Sequence, residues 1–304
     1  MTDYRLLTYQ TSSGPRAGYL VGDEVHDLAA VTGKPNYGNV LAVLEDWTTA
    51  RGILDDLYVP ATNKTGKKLS EIKLLAPILY PPTIYCAGAN YSDHMANMAK
   101  IQNIPVEPDP HDLGLNPWHF IKVSRCAVAH GEPVKMISEK LDWEAELGVV
   151  IGTKMQNVPL DKALSHVAFY TIGNDLSARD MTARPHIAFQ SPFKYDWIGQ
   201  KVFDGACPMG PWLVPADEID DPQKLAIKLT VNGVLKQDSN TSKMIFTAAE
   251  QLAHLSSRIT LYPGDVVLTG TPSGVGAETQ QFLKRGDQIK ITIEKVGELD
   301  TKIV

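Results

Sequence analysis

Asp142-Trp143-Glu144-Ala145-Glu146-Leu147-Gly148-Val149-Val150-Ile151-Gly152 reads as a buried strand that opens on two acids separated by one residue. Side chains alternate along a strand, so Glu144 and Glu146 share one face while Trp143, Ala145 and Leu147 take the other. Two carboxylates at the mouth of an apolar run repel each other and lose hydration unless something positive sits between them. A hard divalent cation meets that need. A solvated strand face is the ordinary alternative for an isolated Glu-x-Glu, so the surrounding sequence decides.

Outward from this run, the chain from Leu75 onward has the texture of short strands punctuated by Pro81-Pro82, Asn232-Gly233, Pro263-Gly264 and Arg285-Gly286-Asp287. Asn232-Gly233 between Leu229-Thr230-Val231 and Val234-Leu235-Lys236 is a hairpin signal. Helical spacing is best over 161–169 and 246–256, the second with Thr247 and Glu250 placed as a capping pair. Before residue 75 the pattern predicts strands over 4–10 and 17–28 and a helix over 40–57. The Pro-rich stretch 101–118 lacks periodicity and reads as a functional loop or lid. The expected organisation is a small N-terminal domain over 1–75 and a β-rich catalytic domain over 76–304, an α+β fold that is mainly β.

The chain has 304 residues, 43% hydrophobic and 21% charged, enough to bury a sizeable core. Its net charge of -6 argues against nucleic acid or an anionic membrane as partner and toward a small-molecule ligand. No apolar run approaches the roughly 18 residues of a membrane-spanning helix, and Met1-Thr2-Asp3-Tyr4-Arg5 lacks a secretory pattern, so a cytoplasmic location is expected. Cys86, Cys126 and Cys207 have no metal-type spacing and read as buried thiols of a reducing compartment.

Asp175 closes the strand-like run Phe169-Tyr170-Thr171-Ile172-Gly173-Asn174 and supplies a third carboxylate. Three acids without spaced His or Cys donors favour an oxygen-coordinated ion such as Mg2+ or Mn2+ over zinc. Taken alone, Asp175 is equally a turn or cap residue. His94, just past Ile84-Tyr85-Cys86-Ala87 in a Gly- and Asn-rich turn, is placed as a general base, against the commoner reading of a surface histidine. Lys201 alternates with Val202 and Phe203 and points into a site if those apolar residues are core. The loop Thr269-Gly270-Thr271-Pro272-Ser273-Gly274-Val275-Gly276 lacks the ending of a phosphate loop, yet its amides and hydroxyls suit a carboxylate.

In this order, Ala89-Asn90-Tyr91-Ser92-Asp93-His94, Asp142-Trp143-Glu144-Ala145-Glu146-Leu147, Gly173-Asn174-Asp175-Leu176-Ser177-Ala178-Arg179-Asp180, Lys201-Val202-Phe203-Asp204-Gly205, Cys207-Pro208-Met209-Gly210-Pro211-Trp212 and the Gly-rich loop are blocks in which the chain from Ile84 onward resembles the fumarylacetoacetate hydrolase family. The likeness is to its smaller bacterial members, which act on acylpyruvates and related 2-oxo acids. The resemblance implies a mixed β-sandwich roll, a small N-terminal α/β domain and a homodimer. It implies one Mg2+ or Mn2+ per subunit on Glu144, Glu146 and Asp175, with His94 as water-activating base and Lys201 at the oxyanion. Thr271 and Gly270 then hold the substrate carboxylate, and Arg179 contacts the substrate or a neighbouring acid.

Two positions depart from the family pattern. Many hydrolytic members carry glutamate three residues after the histidine, where this chain has Asn97, an amide that takes no proton. Glu107, Asp109 and Asp112 are the acids available in the following loop. A family glutamine usually follows Arg179-Asp180; here Met181-Thr182 follow, and Gln190 in the segment 183–197 is the candidate replacement. The first expectation is a metal-dependent hydrolase cleaving a carbon-carbon bond in an acylpyruvate or 2,4-dioxo acid. The alternatives are a decarboxylase or enol-keto isomerase on a 2-oxo diacid, and a metal-stabilised binding protein without turnover.

Overall fold

The structure is a computed structural model describing residues 4–57, 59 and 65–304. Met1-Thr2-Asp3, part of the start read above for a secretory pattern, lies outside the described residues. Alternating apolar residues form β1 (Tyr4–Thr11), β2 (Gly14–Val21) and β3 (Glu24–Asp27). The strand predicted over 17–28 is thus divided, because Gly22 at φ +59° turns the chain back. After β3 come α1 (Leu28–Thr32), α2 (Val40–Glu45), α3 (Trp47–Asp55) and the short β4 (Lys67–Lys68). The helix predicted over 40–57 breaks at Asp46, whose backbone leaves helical geometry while its carboxylate accepts the Tyr37 hydroxyl at 2.5 Å.

The remainder runs β5 (Ile84–Ala87), α4 (Ser92–Gln102), β6 (His119–Lys122), β7 (Ala127–Val128), β8 (Pro133–Val134), β9 (Leu141–Asp142), β10 (Ala145–Ile151), β11 (Val167–Asn174) and β12 (Ser177–Ala178). It continues with α5 (Trp197–Lys201), β13 (Cys207–Pro215), β14 (Ala226–Val231), β15 (Val234–Asn240), α6 (Ala248–Arg258), β16 (Val266–Leu268), α7 (Gly276–Thr279), β17 (Gln288–Ile293) and β18 (Gly297–Ile303).

The helix predicted over 161–169 is a 3-10 segment, Leu160–His166, that stops where Val167 enters β11. The β-branched and aromatic residues from Val167 to Ile172 pair with β10 instead. The loop predicted from Ile101 starts two residues later, since α4 runs on to Gln102. Asn232 and Gly233, both at positive φ, turn β14 into β15. Thr247 and Glu250 form a full capping box on α6.

Among the described residues, an eleven-stranded sheet runs in the order β4-β3-β2-β1-β13-β11-β10-β16-β5-β6, with β7 beside β13. A five-stranded sheet, β15-β14-β17-β18-β8, covers one of its faces. Strand β10 shows the predicted alternation. Trp143, Ala145, Leu147, Val149 and Ile151 join one core with Ile227, Leu229 and Ile291 of the smaller sheet and Leu252 of α6. Val150 joins a second core with Leu28, Leu44, Trp47 and Leu54 of the N-terminal helices. Each fully buried aliphatic side chain is worth about 1.5–3 kcal/mol relative to exposure, so the register of β10 is fixed from both faces. Leu6 of β1 pairs with Leu213 of β13, which ties the N-terminal strands into the same sheet.

Among the described residues no helix is long and apolar enough to cross a membrane. All three cysteines are free and buried, and burial pushes their thiols up, away from the reactive thiolate.

Candidate active site

Antiparallel pairing of β10 with β11 sets Ala145 opposite Asn174, so the start of one strand meets the end of the other. That register brings Glu144 and Glu146 to Asp175, whose N–H donates to the Glu144 carbonyl at 2.9 Å. One carboxylate oxygen of each lies within 4.8 Å of the others, and all three residues are buried. On the other side of β10, strand β16 leads into the Gly-rich loop, where the Gly270 N–H donates to Glu146 Oε2 at 2.7 Å. Gly270 sits at φ +96°, and a Cβ there would lie 2.8 Å from Asn90 Cβ, so only glycine fits. The Thr271 hydroxyl accepts from Gln237 Nε2 at 2.9 Å, while Gln237 Oε1 accepts the Ala145 N–H at 3.0 Å. One glutamine therefore spans the acid strand and the loop.

Three cations enclose the acids. Lys201, at the end of α5, donates to Asp175 Oδ2 at 2.7 Å and to Glu144 Oε2 at 3.1 Å. Lys122, at the end of β6, has its ammonium 2.8 Å from Asp175 Oδ1, an ion pair whose angle falls outside hydrogen-bond geometry. It also donates to the carbonyls of Lys201 and Leu176 at 2.7 and 3.1 Å. Arg179 donates from Nη2 to Glu144 Oε1 at 2.6 Å and from Nε to Asp142 Oδ2 at 2.9 Å. Asp142 in turn accepts the Gly276 and Ala277 N–H groups at the start of α7.

These contacts separate the acids electrostatically. Burial raises Glu144, but Lys201 and Arg179 outweigh it and hold the carboxyl at about 2. Burial, then the charges of Asp175 and Glu144, push Glu146 well above the ordinary carboxylate range. Among the described residues Glu146 Oε1 has no hydrogen-bond partner. A bare buried oxygen, beside two further carboxylates and with no nitrogen or sulfur donor in the group, fits a hard divalent ion.

His94 lies on α4, with Nδ1 2.6 Å from Glu278 Oε1. Glu278 Oε2 accepts from Asn97 Nδ2, from Ser273 Oγ at 2.9 Å and from the Gly274 N–H at 2.8 Å. The histidine's carboxylate partner is thus Glu278 of α7, not Glu107, Asp109 or Asp112; Asp109 is paired with His111 at 2.7 Å. His94 and the acid group are joined through Glu278 and the Gly270–Gly276 loop. Gln190 is exposed in the loop closed by the Ala183–Tyr195 bridge and makes no hydrogen bond among the described residues.

A cavity of about 350 Å³ adjoins α4, lined by Gly88, Ala89, Met95, Leu115, Trp118 and Phe246 among others. Trp118 meets Trp197 edge-on at 5.7 Å, Trp197 stacks with Phe120 at 6.1 Å, and the Lys201 ammonium lies 4.8 Å from the Phe120 ring centre. An aromatic wall therefore runs from the cavity to the lysine. Gly88 makes room for Trp118, because a Cβ there would lie 2.0 Å from the indole ring.

Residues 83–304 match the family model described as Fumarylacetoacetate (FAA) hydrolase C-terminal. The chain belongs to the fumarylacetoacetate hydrolase family. Its mainly β α+β fold and every site residue described above fall within this family's range except for the N-terminal strands and helices. The human oxaloacetate tautomerase FAHD2B, mitochondrial, is 39% identical over 239 residues, 77% of this chain and 70% of the relative. Oxaloacetate tautomerase YisK of Bacillus subtilis is 40% identical over 241 residues, 77% of this chain and 74% of the relative. Among solved structures, fumarylacetoacetate hydrolase from Exiguobacterium antarcticum superposes with a TM-score of 0.77 at 28% identity, covering 99% of each chain. Maleylpyruvate hydrolase from Sphingobium sp. SYK-6, in complex with manganese(II) and pyruvate, gives 0.74 at 26% identity, covering 99% of this chain and 98% of that one.

Sequence reasoning passed over Lys122 and Glu278. Lys122 carried no local signal beyond ending an apolar strand. Glu278 lies 184 residues from His94 and only two beyond the Gly-rich loop that was singled out.

Proposed function

We propose that this chain is a divalent-cation-dependent enzyme that interconverts the enol and keto forms of a 2-oxo diacid of the oxaloacetate type. The observation that carries the reading is Glu146 Oε1, a buried carboxylate oxygen left bare beside Glu144 and Asp175. These three residues are the ligands of one Mg2+ or Mn2+ per subunit. The ion, when bound, supplies a Lewis acid for the substrate's carboxylate and 2-oxo oxygen. His94, oriented by Glu278, moves the proton at the carbon next to the keto group. Lys201 donates to the oxygen on which charge grows. Thr271, beside Gly270, binds the substrate carboxylate, while Arg179 and Gln190 border the substrate.

Hydrolysis of a carbon-carbon bond in an acylpyruvate or 2,4-dioxo acid stands first from sequence alone. It becomes the second reading because the oxaloacetate tautomerases match at 39–40% identity and maleylpyruvate hydrolase at 26%. The His94–Glu278 pair favours that second reading, since an imidazole held by a carboxylate can deprotonate water. The same pair speaks against a binding protein without turnover. In this reading residues 76–304 carry the chemistry and residues 1–75 are an accessory unit. A homodimer is supported by the sheet-edge strand β6, where Ile121 is 52% exposed next to Val123 at 47%.

The test follows enol absorbance, pyruvate and carbon dioxide in parallel, with Mg2+ or Mn2+ present. Accelerated decay of enol-oxaloacetate without pyruvate release supports the tautomerase; pyruvate with carbon dioxide makes it a decarboxylase. Cleavage of acylpyruvates with no effect on the enol-keto rate overturns the first reading in favour of the second.

A further inference from the structure

We propose that Lys122 is a positioning residue: its buried ammonium fixes the Asp175 turn and the end of α5 against each other, and so sets where Lys201 stands over the acid group. The inference rests on the reading of Asp175 as a metal ligand and of Lys201 as the donor to the oxygen on which charge grows. The Lys122 side chain is fully buried. Its ammonium lies 2.8 Å from Asp175 Oδ1 and donates to the Leu176 carbonyl at 3.1 Å and the Lys201 carbonyl at 2.7 Å. The first two groups belong to the turn after β11 and the third to α5, with 26 residues between Asp175 and Lys201. One side chain therefore joins two segments that each carry a site residue.

The strand that carries Lys122 meets the same lysine a second time. Phe120 and Lys122 are two apart on β6 and share one face, away from the exposed Ile121. The Phe120 ring centre is 4.8 Å from the Lys201 ammonium, while Lys122 holds the Lys201 carbonyl. β6 thus grips Lys201 at its charged head and at its backbone. Lys122 pairs with Ile84 of β5, and β5 pairs with β16 beside β10, so the grip is anchored in the sheet that carries Glu146. Charge pairing alone does not explain this lysine. Asp175 already has Lys201 on Oδ2 at 2.7 Å, and a second ammonium on the same carboxylate opposes a divalent ion bound there. A buried ion pair is also weak ground for stability. What Lys122 adds is direction, because its two hydrogen bonds hold the backbone on either side of the Asp175–Lys201 contact. Without them the carboxylate and the ammonium shift independently, and a misplacement of about 1 Å at a reacting centre costs on the order of a hundredfold in rate.

The experiment measures kcat at saturating Mn2+ for whichever reaction the parent catalyses, enol-keto interconversion or carbon-carbon cleavage. In the full-length protein, Lys122→Met lowers kcat roughly ten- to a hundredfold and leaves KM within about threefold. Mn2+ affinity, by calorimetry with the metal alone, falls on the order of tenfold, as for loss of a group that orients a ligand. Lys201→Met alone lowers kcat by more than about a hundredfold. Because Lys122 acts on the reaction through Lys201, adding Lys122→Met to Lys201→Met changes kcat by less than about twofold, while Mn2+ affinity still falls on the order of tenfold. A lysine that only supported the fold would lower kcat by the same factor in both backgrounds. Lys122→Gln, whose amide can donate to both carbonyls, recovers several-fold in kcat over Lys122→Met, and it takes the place of the methionine variant in the cycle if that variant does not fold. The proposal is overturned if kcat of the folded variant stays within about twofold of the parent, if the loss persists in full without Lys201, or if Mn2+ affinity is unchanged. Lys201→Met separates the two failures. If it keeps the parent's kcat, the role of Lys201 falls and this proposal with it; if it is crippled while Lys122→Met is not, only the role of Lys122 falls.

Discussion

Strand β10 and helix α4 each deliver a functional group to the same site, and they are held there by opposite means. β10 is packed on both faces, with Leu147 and Val149 in one core and Val150 in the other. α4 buries Ala99 and otherwise relies on Asp93, His94 and Asn97. The difference suits the roles proposed for them. Three carboxyl groups within 4.8 Å of one another need a rigid frame, whereas the proton-carrying role proposed for His94 requires that substrate be admitted first.

The largest expected effect falls on the rigid side: Glu146→Ala lowers Mn2+ affinity by more than about a hundredfold in a calorimetric titration, because no other group replaces the bare oxygen. Undiminished binding would break the comparison at its root. Stability gives the next contrast. Leu147→Ala costs about 2–5 kcal/mol in urea unfolding, as for a fully buried core leucine. Met98→Ala on the half-exposed face of α4 costs less than about 1 kcal/mol. Equal costs would mean that α4 is packed as firmly as the sheet.

The smallest effect is the sharpest, because the two regions respond to acid with opposite sign. Burial raises Glu278, but its bonds from His94 and Gly274 outweigh this and leave it below its ordinary 4.5. Burial likewise raises Asp93, and Ser239, Ser273 and Lys243 bring it below 3.8. Carboxyls depressed in the folded state contribute stability that is complete above those ordinary values and is lost as pH falls through the folded ones. Protection of α4 amides should therefore fall below pH 4.5 before the sheet loosens. Glu146 in the metal-free protein runs the other way: raised by burial, its contribution is present below 4.5 and lost as pH rises through its folded value. Equal loss of protection in α4 and β10 on acidification would remove the distinction.

The same contrast governs what could be read from the chain. Glu144, Glu146 and the apolar residues between and after them were legible because a strand repeats every two residues and both cores obey that period. Asn232-Gly233 and Thr247 with Glu250 were legible because each is complete within four residues. Helix 40–57 failed because a side-chain bond from just outside it, Tyr37 to Asp46, favours a break that the apolar spacing does not show. Helix 161–169 failed because β10 offered Val167 to Ile172 a better partner than their own backbone. The partner of His94 was not legible for the most physical reason of all: nothing near His94 in sequence carries it, and Glu278 reaches it only once β16 and its loop have folded over β10.

Gly88 and Trp118 set a limit on how this site can diversify. The indole rests where any side chain at position 88 would intrude, and the Gly88 N–H is bonded to the Trp118 carbonyl at 3.2 Å. Enlarging the residue at 88 evicts the ring and disturbs Phe120 and Trp197 behind it. Shrinking the ring leaves the glycine untouched and simply widens the cavity. The size of this cavity in descendants of this chain is therefore open to change from one side of that contact and closed from the other.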